Sequence, residues 1–323
     1  MKRVEIAIYD SEADFVMGLM LYMSRYKGDS VRTSGFWEKE KFEEHLKDNR
    51  ADIILVPLGF DLKETSAQIM HVTDKDGGEG IYKYMPADEI IREIFLQYDI
   101  QAHSDRIGKK VSLRAVYSPS KSIYQTPFAV TYAMTLAAKE KVLYVNLCEN
   151  AGFESIMQMS YERDLSDLIY SSGHYSGDMD RLVLSMGYET NGFTYIPPMK
   201  NPADIYLLKG EEWIDFINKL SSLSGFDVVI LDIGGMIPGF YKILEECDSV
   251  YMPYSGNPYE RARLAQFEEI IKKGKRSEIT EIIKRIKMPG MDNIFFDGDM
   301  VMCWQWGEMG DYVRGVVKRE EMS

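Results

Sequence analysis

Cysteine and histidine are scarce. The chain of 323 residues carries three cysteines, Cys148, Cys247 and Cys303, far apart and odd in number, and four histidines scattered along its length. Such spacing builds neither a disulfide framework nor a zinc knuckle, so no metal site is expected. A run of about 18 apolar residues is also missing, which excludes an obvious membrane-spanning segment. Met1-Lys2-Arg3 runs straight into "VEIAIYD", a strand and not the core of a signal peptide, so a cytoplasmic protein is expected. Excess positive charge is absent as well. With 38 basic and 51 acidic residues the formal net charge is −13, which argues against DNA or anionic lipid as a broad partner surface. The densest basic run, "KKGKR" from Lys272 to Arg276, falls where a predicted helix ends, and a solvated helix C-terminus is its commoner meaning.

What is present is an ordinary globular composition, 45% hydrophobic and 28% charged, at a length that suits two domains. Residues 4–58 alternate as β-α-β-α-β, with apolar runs "VEIAIYD" and "ADIILVPL" around two amphipathic stretches. "AQIMHVT" (67–73) and "GIYKY" (80–84) read as further strands, and Pro86 opens a helix to about Tyr98. The polar stretch 99–110 reads as a linker. A second alternating series begins at "VSLRAVYSP" (111–119). It continues through a helix from about Thr126, then "KVLYVNL", "GFTYIPPM", "FDVVILDIGG" and "SVYMPY". Near-continuous apolar runs such as "DVVILD" suit strands covered on both faces of a parallel sheet. The expectation is an α/β protein of two doubly wound domains, residues 1–98 and 111–323.

The second domain opens with "YSPSKSIYQTPFAV", a loop between a strand and a helix that holds no glycine. A phosphate-binding loop, G-x-x-x-x-G-K-[ST], uses its glycines to bring backbone N–H groups around phosphates, its lysine to neutralise them and its hydroxyl to hold Mg²⁺. With Thr126 as that hydroxyl, Gln125 takes the lysine position, Tyr124 the second glycine and Pro119 the first. Glutamine supplies no charge, tyrosine obstructs the close approach, and Pro127 removes an N–H from the first helical turn. Ser120, Lys121 and Ser122 complete the loop, and Lys121 is the one cation in it.

On these residues the second domain resembles a MinD/ParA-type ATPase, the SIMIBI class with a deviant Walker A loop, over residues 111–323. The resemblance implies a P-loop NTPase-like, mostly parallel sheet. It places the family's signature lysine at Ser120, one residue before Lys121. It also matches "VNLCEN" to an acidic D-x-D, with Asn146 and Cys148 in the acidic places. "VVILDIGG" is similar to the Walker B and switch region, with Asp232 at the strand end followed by Gly234 and Gly235. Phosphoryl transfer depends on positioning and charge neutralisation, so these replacements together remove the main contributors.

Residues 1–98 resemble a response-regulator receiver domain, a flavodoxin-like sheet, with shortened third and fourth helices. Its pocket positions map to Asp10 and Glu12 after the first strand, Thr73 after the fourth and Lys83 after the fifth. The acceptor position falls on Pro57, which has no nucleophile. A simple ion pair between Asp10 and Lys83 is the plainer meaning of that pair.

A receiver-like module joined to a MinD/ParA-like module resembles the arrangement of the CpaE and TadZ proteins, which place the secretion machinery of type IVb (Tad) pili at a cell pole. The resemblance implies protein partners in a pilus or secretion assembly and a homodimer. Two functional expectations follow: a non-catalytic scaffold with no cofactor, or an Mg-ATP-binding slow dimerisation switch. The tail "GDYVRGVVKREEMS" has few large apolar residues and fits an interfacial membrane helix poorly.

Overall fold

The structure, a computed structural model, describes residues 4–26, 31–48, 50–62, 65–104, 111–174, 179–291 and 298–322. It divides into two compact units, residues 1–105 and 106–323.

The first unit runs β1 (Val4–Tyr9), α1 (Ala13–Tyr26), β2 (Val31–Phe36), α2 (Lys39–Asp48), β3 (Ile53–Pro57), β4 (Gln68–Thr73), β5 (Ile81–Tyr82) and α3 (Ala87–Ser104). The strands form one parallel sheet in the order β2-β1-β3-β4-β5, the flavodoxin-like order. Strand alternation divides its core: Ile6, Ile8 and Leu55 face α1 and α3, while Ala7, Ile54 and Val56 face Phe42 of α2. Helix α1 meets the sheet through Val16, Leu19 and Met23, spaced three and four apart on one helical face. Among the described residues no helix joins β3 to β4 or β4 to β5, and Phe60 and Leu62 pack on the α2 side instead. The stretch 99–110 is not wholly a linker, because α3 continues to Ser104. Residues 99–104 contain neither glycine nor proline, so no backbone signal stops the helix there.

The second unit begins with β6 (Ser112–Val116), α4 (Gln125–Leu136), β7 (Val142–Leu147), α5 (Phe153–Met157), α6 (Leu165–His174), α7 (Met179–Met186), β8 (Tyr188–Thr190) and β9 (Phe193–Ile196). A 3₁₀ turn at Pro202–Tyr206 leads into α8 (Gly210–Ser221), β10 (Val228–Ile233), α9 (Phe240–Glu245), β11 (Ser249–Tyr254), α10 (Pro258–Lys273), α11 (Ser277–Ile282), β12 (Ile283–Lys287), α12 (Met300–Trp306) and α13 (Glu308–Glu321). Seven strands lie in the order β12-β11-β6-β10-β7-β9-β8, parallel except for the β8–β9 pair. Every residue of β7 and β10 is buried, as the continuous apolar runs require. Leu113, Val145 and Leu231 face Trp213, Phe216 and Leu220 of α8. Val116, Tyr144 and Ile230 face Phe128 and Tyr132 of α4 and Val313 of α13. Trp304 is buried in this second layer, whereas Trp306 is exposed.

The sheet order matters for the site. β6, β10 and β7 are neighbours, and Asp232 pairs with Val116 on one side and Asn146 on the other. The loop after β6 and the ends of β7 and β10 therefore meet at one edge of the sheet.

Candidate functional site

The backbone between β6 and α4 turns tightly on its own groups. The Lys121 N–H donates to the Ser118 carbonyl at 2.9 Å and the Gln125 N–H to the Ser122 carbonyl at 3.1 Å. The Ser122 N–H donates to Ser118 Oγ at 3.1 Å, and the Tyr124 N–H reaches Ser122 Oγ at 3.4 Å. Ser118 Oγ and Ser120 Oγ share a hydrogen bond of 2.9 Å. Short hydroxyl side chains thus do locally what an anion would do in a phosphate loop: they accept from backbone N–H groups. Lys121 sits in the left-handed region with φ +56°, and its ammonium donates to the Gly234 carbonyl across the site.

Gln125 closes the loop from inside. Its Oε1 accepts from the Ser118 N–H at 2.8 Å, and its Nε2 donates to Asp232 Oδ1 at 2.6 Å and to the Ile233 carbonyl at 3.0 Å. The amide carries both a donor and an acceptor, so it can bridge backbone and carboxylate, which a lysine cannot do. Thr126 Oγ1 donates to Asp232 Oδ2 at 2.7 Å, and the Tyr144 hydroxyl donates to the same oxygen at 2.8 Å. Asn146 orients that tyrosine by donating to its hydroxyl at 2.9 Å, and accepts from the Cys148 N–H at 2.9 Å.

Asp232 is 0% exposed and makes no ion pair among the described residues. Burial raises its pKa above the ordinary value, opposed by the hydrogen bonds from Gln125, Thr126 and Tyr144. Burial also pushes the Tyr144 hydroxyl well up, followed by the nearby Asp232 charge. Asp232 is thus a buried carboxylate held by neutral donors, with its lone pairs directed at protein groups.

The turn after β10 is pressed against the end of β7. A Cβ on Gly234 would lie 2.8 Å from Cys148 Cα, and one on Gly235 would lie 2.8 Å from Glu149 Oε1. Glu149 in turn accepts from the Tyr206 hydroxyl. Gly234→Ala is therefore expected to lower the unfolding free energy by about 2 kcal/mol, as overpacking against backbone does. Denaturant titration measures it; an unchanged midpoint would mean the two strand ends separate freely.

Sequence positions Ser120, Lys121, Ser122, Gln125, Thr126, Asp232, Gly234 and Gly235 thus fall in one cluster. Tyr144 was not among them, although strand alternation puts it on the face of Asn146, the register partner of Asp232. Tyr206 lies on a separate turn and gave no local signal.

In the first unit, Asp10 and Lys83 are both buried at the carboxyl ends of β1 and β5. The Lys83 ammonium lies 2.6 Å from Asp74, 2.8 Å from Glu12 and 3.8 Å from Asp10. Burial works against its charge, but hydrogen bonds to Asp74 and Glu12 and the Asp10 charge outweigh it and raise its pKa. Lys83 holds Glu12 below the usual carboxylate range. Thr73 accepts from the Lys75 N–H at 3.2 Å, and Pro57 ends β3 with its carbonyl accepting from Phe60 N–H. Asp10, Glu12 and Lys83 are brought together through their side chains; Thr73 meets Lys83 through the backbone, its carbonyl accepting from the Lys83 N–H at 3.0 Å, and Pro57 ends the neighbouring strand β3.

A seven-stranded, mostly parallel sheet with a strand–loop–helix unit at its centre and a carboxylate at the adjacent strand end is the framework of P-loop nucleotide enzymes. Among solved structures, the fold is similar to that of a ParA family ATPase from Chlorobium tepidum TLS. The identity is 16% and the TM-score 0.52, with 65% of this chain and 98% of that one covered. It is also similar to a plasmid partition protein from Borrelia burgdorferi, at 13% identity and TM-score 0.47 over 66% of this chain and 100% of that one. The MinC:MinD cell division protein complex of Aquifex aeolicus gives 11% identity and TM-score 0.44 over 65% and 89%. No family model matches the chain, and no curated protein matches it. At these identities the likeness is one of fold, and the α/β architecture with its parallel sheet is ParA-like.

Proposed function

We propose that the chain is a non-catalytic scaffold built on a ParA-like ATPase fold. The observation that carries this reading is Gln125, which occupies the lysine position and fills the loop by bonding to Ser118 N–H and Asp232 together. The residues do not fit Mg-ATP: loop N–H groups are taken by Ser118, Ser122 and Gln125, and Lys121 is tied to Gly234. No cofactor is assigned on this reading. The chain would act through surfaces, binding protein partners.

The first unit supports the same reading. Its flavodoxin-like strand order, with Lys83 set among Asp10, Glu12 and Asp74 and proline at the strand-three end, suits a pseudo-receiver in which aspartyl phosphorylation has no acceptor. A receiver-like unit ahead of a ParA-like unit resembles the CpaE and TadZ arrangement, and this resemblance supports a scaffold that acts as a homodimer in a Tad-type pilus or secretion assembly at a cell pole. The net charge of −13 weighs against nucleic acid as its partner, and no described helix is long and apolar enough to cross a membrane.

The test is phosphate release. Purified chain with Mg-ATP is expected to release phosphate at the rate of the buffer blank, and Thr126→Ala is expected to leave that rate unchanged. Turnover above the blank that Thr126→Ala removes would overturn the proposal. One observation favours a second reading, an ATP-binding slow dimerisation switch: Thr126 and Asp232 retain the hydroxyl–carboxylate pairing that a Mg²⁺ site uses, at 2.7 Å. Dimer formation on adding a non-hydrolysable ATP analogue, read by light scattering, would support it.

A further inference from the structure

Helices α6 and α8 cover the same face of the second sheet, and a groove of about 380 Å³ runs between them, bordered by the 3₁₀ turn. Each helix turns one stripe toward it. On α6 the stripe is Ser166, Ile169, Tyr170 and Gly173, and on α8 it is Glu212, Asp215, Phe216 and Lys219. Both follow the i, i+3, i+4, i+7 spacing of a single helical face. Buried Met199 and Phe216 with half-buried Ile169 make an apolar floor. Two large apolar side chains stand at its mouth in solvent, Tyr170 at 72% exposure and Leu207 of the turn at 77%. Apolar side chains scattered singly over a surface are ordinary, but an apolar floor between two such walls is a place for an apolar guest.

The charges along the groove select that guest. Asp204, Glu212 and Asp215 line it, and none of them makes an ion pair among the described residues. Asp204 accepts from the Asn201 amide at 2.6 Å and Glu212 from the Lys209 N–H at 2.7 Å, both neutral donors. The one ammonium lining the groove, Lys219, donates to the Ser172 carbonyl in the last turn of α6 at 2.7 Å. His174 is engaged with the Tyr170 carbonyl at 3.0 Å. Three carboxylates thus face a single cation that is already committed to a helix end.

We propose that this groove docks a basic amphipathic helix of a partner protein. The apolar face of that helix lies on Ile169 and Phe216 between Tyr170 and Leu207, and its lysines or arginines meet Asp204, Glu212 and Asp215. A helix laid into an apolar groove is a recurrent mode of recognition, in which the apolar anchors hold and the charges choose the partner. The same carboxylates repel an acidic helix and an anionic lipid surface. The inference rests on the scaffold reading for the existence of a protein partner. The groove shares no lining residue with the Gln125 loop, so the phosphate-release test and the test of the groove fail separately.

The probe is a fluorescein-labelled peptide of about 14 residues, with leucine at i, i+3, i+4 and i+7 and lysine elsewhere, titrated with the full chain and read by fluorescence anisotropy. Saturable binding is expected, at least tenfold tighter than that of a scrambled peptide of the same composition or of one with glutamate in place of lysine. Tyr170→Ala combined with Leu207→Ala is expected to weaken it at least tenfold at any salt concentration. Asp204→Asn combined with Asp215→Asn is expected to weaken it at low salt and to flatten its salt dependence. These four side chains are exposed or half-exposed, and far-UV circular dichroism checks that each variant is folded. No saturable binding at high micromolar protein would overturn the proposal. So would equal binding of the scrambled peptide, or binding that both double variants leave unchanged, since the peptide would then be held only by the net charge of −13. A wild-type dimer in light scattering that Tyr170→Ala with Leu207→Ala converts to a monomer would also overturn it, because the groove would belong to a second copy of the chain.

Discussion

Asp232→Ala is expected to lower the unfolding free energy by about 4 kcal/mol, because it strands Gln125 Nε2, the Thr126 hydroxyl and the Tyr144 hydroxyl in a buried site. Denaturant titration gives the value. Asp232→Asn keeps the shape and one acceptor, so its loss is expected to be smaller, and the comparison carries a pH signature. The folded-state pKa of Asp232 is raised above its ordinary value of 3.8. In the window between the two pKa values the folded state keeps a proton that the unfolded state has lost. Wild-type stability relative to Asp232→Asn should therefore fall as pH rises from the unfolded pKa through the folded one, and level off above it. A difference that grew with pH would mean that the hydrogen bonds to the Asp232 anion outweigh its burial.

In the first unit the largest effect is expected at Lys83. Its side chain is 5% exposed and that of Asp10 is 3% exposed, so Lys83→Ala leaves Asp10 as a buried charge beside Glu12 and Asp74. Removing one partner of a buried pair costs about 3–5 kcal/mol, and a loss in that range is expected. The sign of its pH dependence is the same as that of Asp232, but the window lies at high pH. The Lys83 pKa is raised above its ordinary 10.5, so its contribution is complete below that pH and is lost as pH rises through the folded-state pKa. Glu12 and Asp74 are half-exposed and exposed, and their removal should cost far less. Unfolding followed by a probe in the first unit distinguishes this loss from changes in the second; a Lys83→Ala loss under about 1 kcal/mol would show that water reaches Asp10.

The strands with continuous apolar runs were legible from sequence because burial on both faces leaves no polar position: "VLYVNL" became β7 and "VVILDI" became β10. β12, "IKRIK", carries three basic residues and is an edge strand whose Lys284 and Arg285 point outward to acidic partners, so its apolar content is too small to announce a strand. The apolar face of α10 was only partly legible. Ile271 is buried with Leu264 and Phe267, but Ile270, one position round the helix, is exposed.

The site divides in the same way. The absence of glycine between Tyr117 and Thr126 and of lysine at position 125 was visible at once, as was the hydroxyl at Thr126. What the absence is replaced by was not visible. That Gln125 folds back to pair with Ser118 and Asp232 depends on β6 and β10 being neighbours, a tertiary fact carried by no short stretch of sequence. The hydrogen bond from the Tyr132 hydroxyl on α4 to Glu320 on α13 likewise joins residues 188 positions apart.

The account rests on the loop after β6 being closed by its own groups, and titration calorimetry of the purified chain with Mg-ATP and Mg-ADP tests it most directly, with Thr126→Ala as the control. The account predicts no saturable heat from wild type at high micromolar protein. Saturable binding that is lost in Thr126→Ala would contradict it, and would mean that Gln125 swings out and the loop receives phosphate.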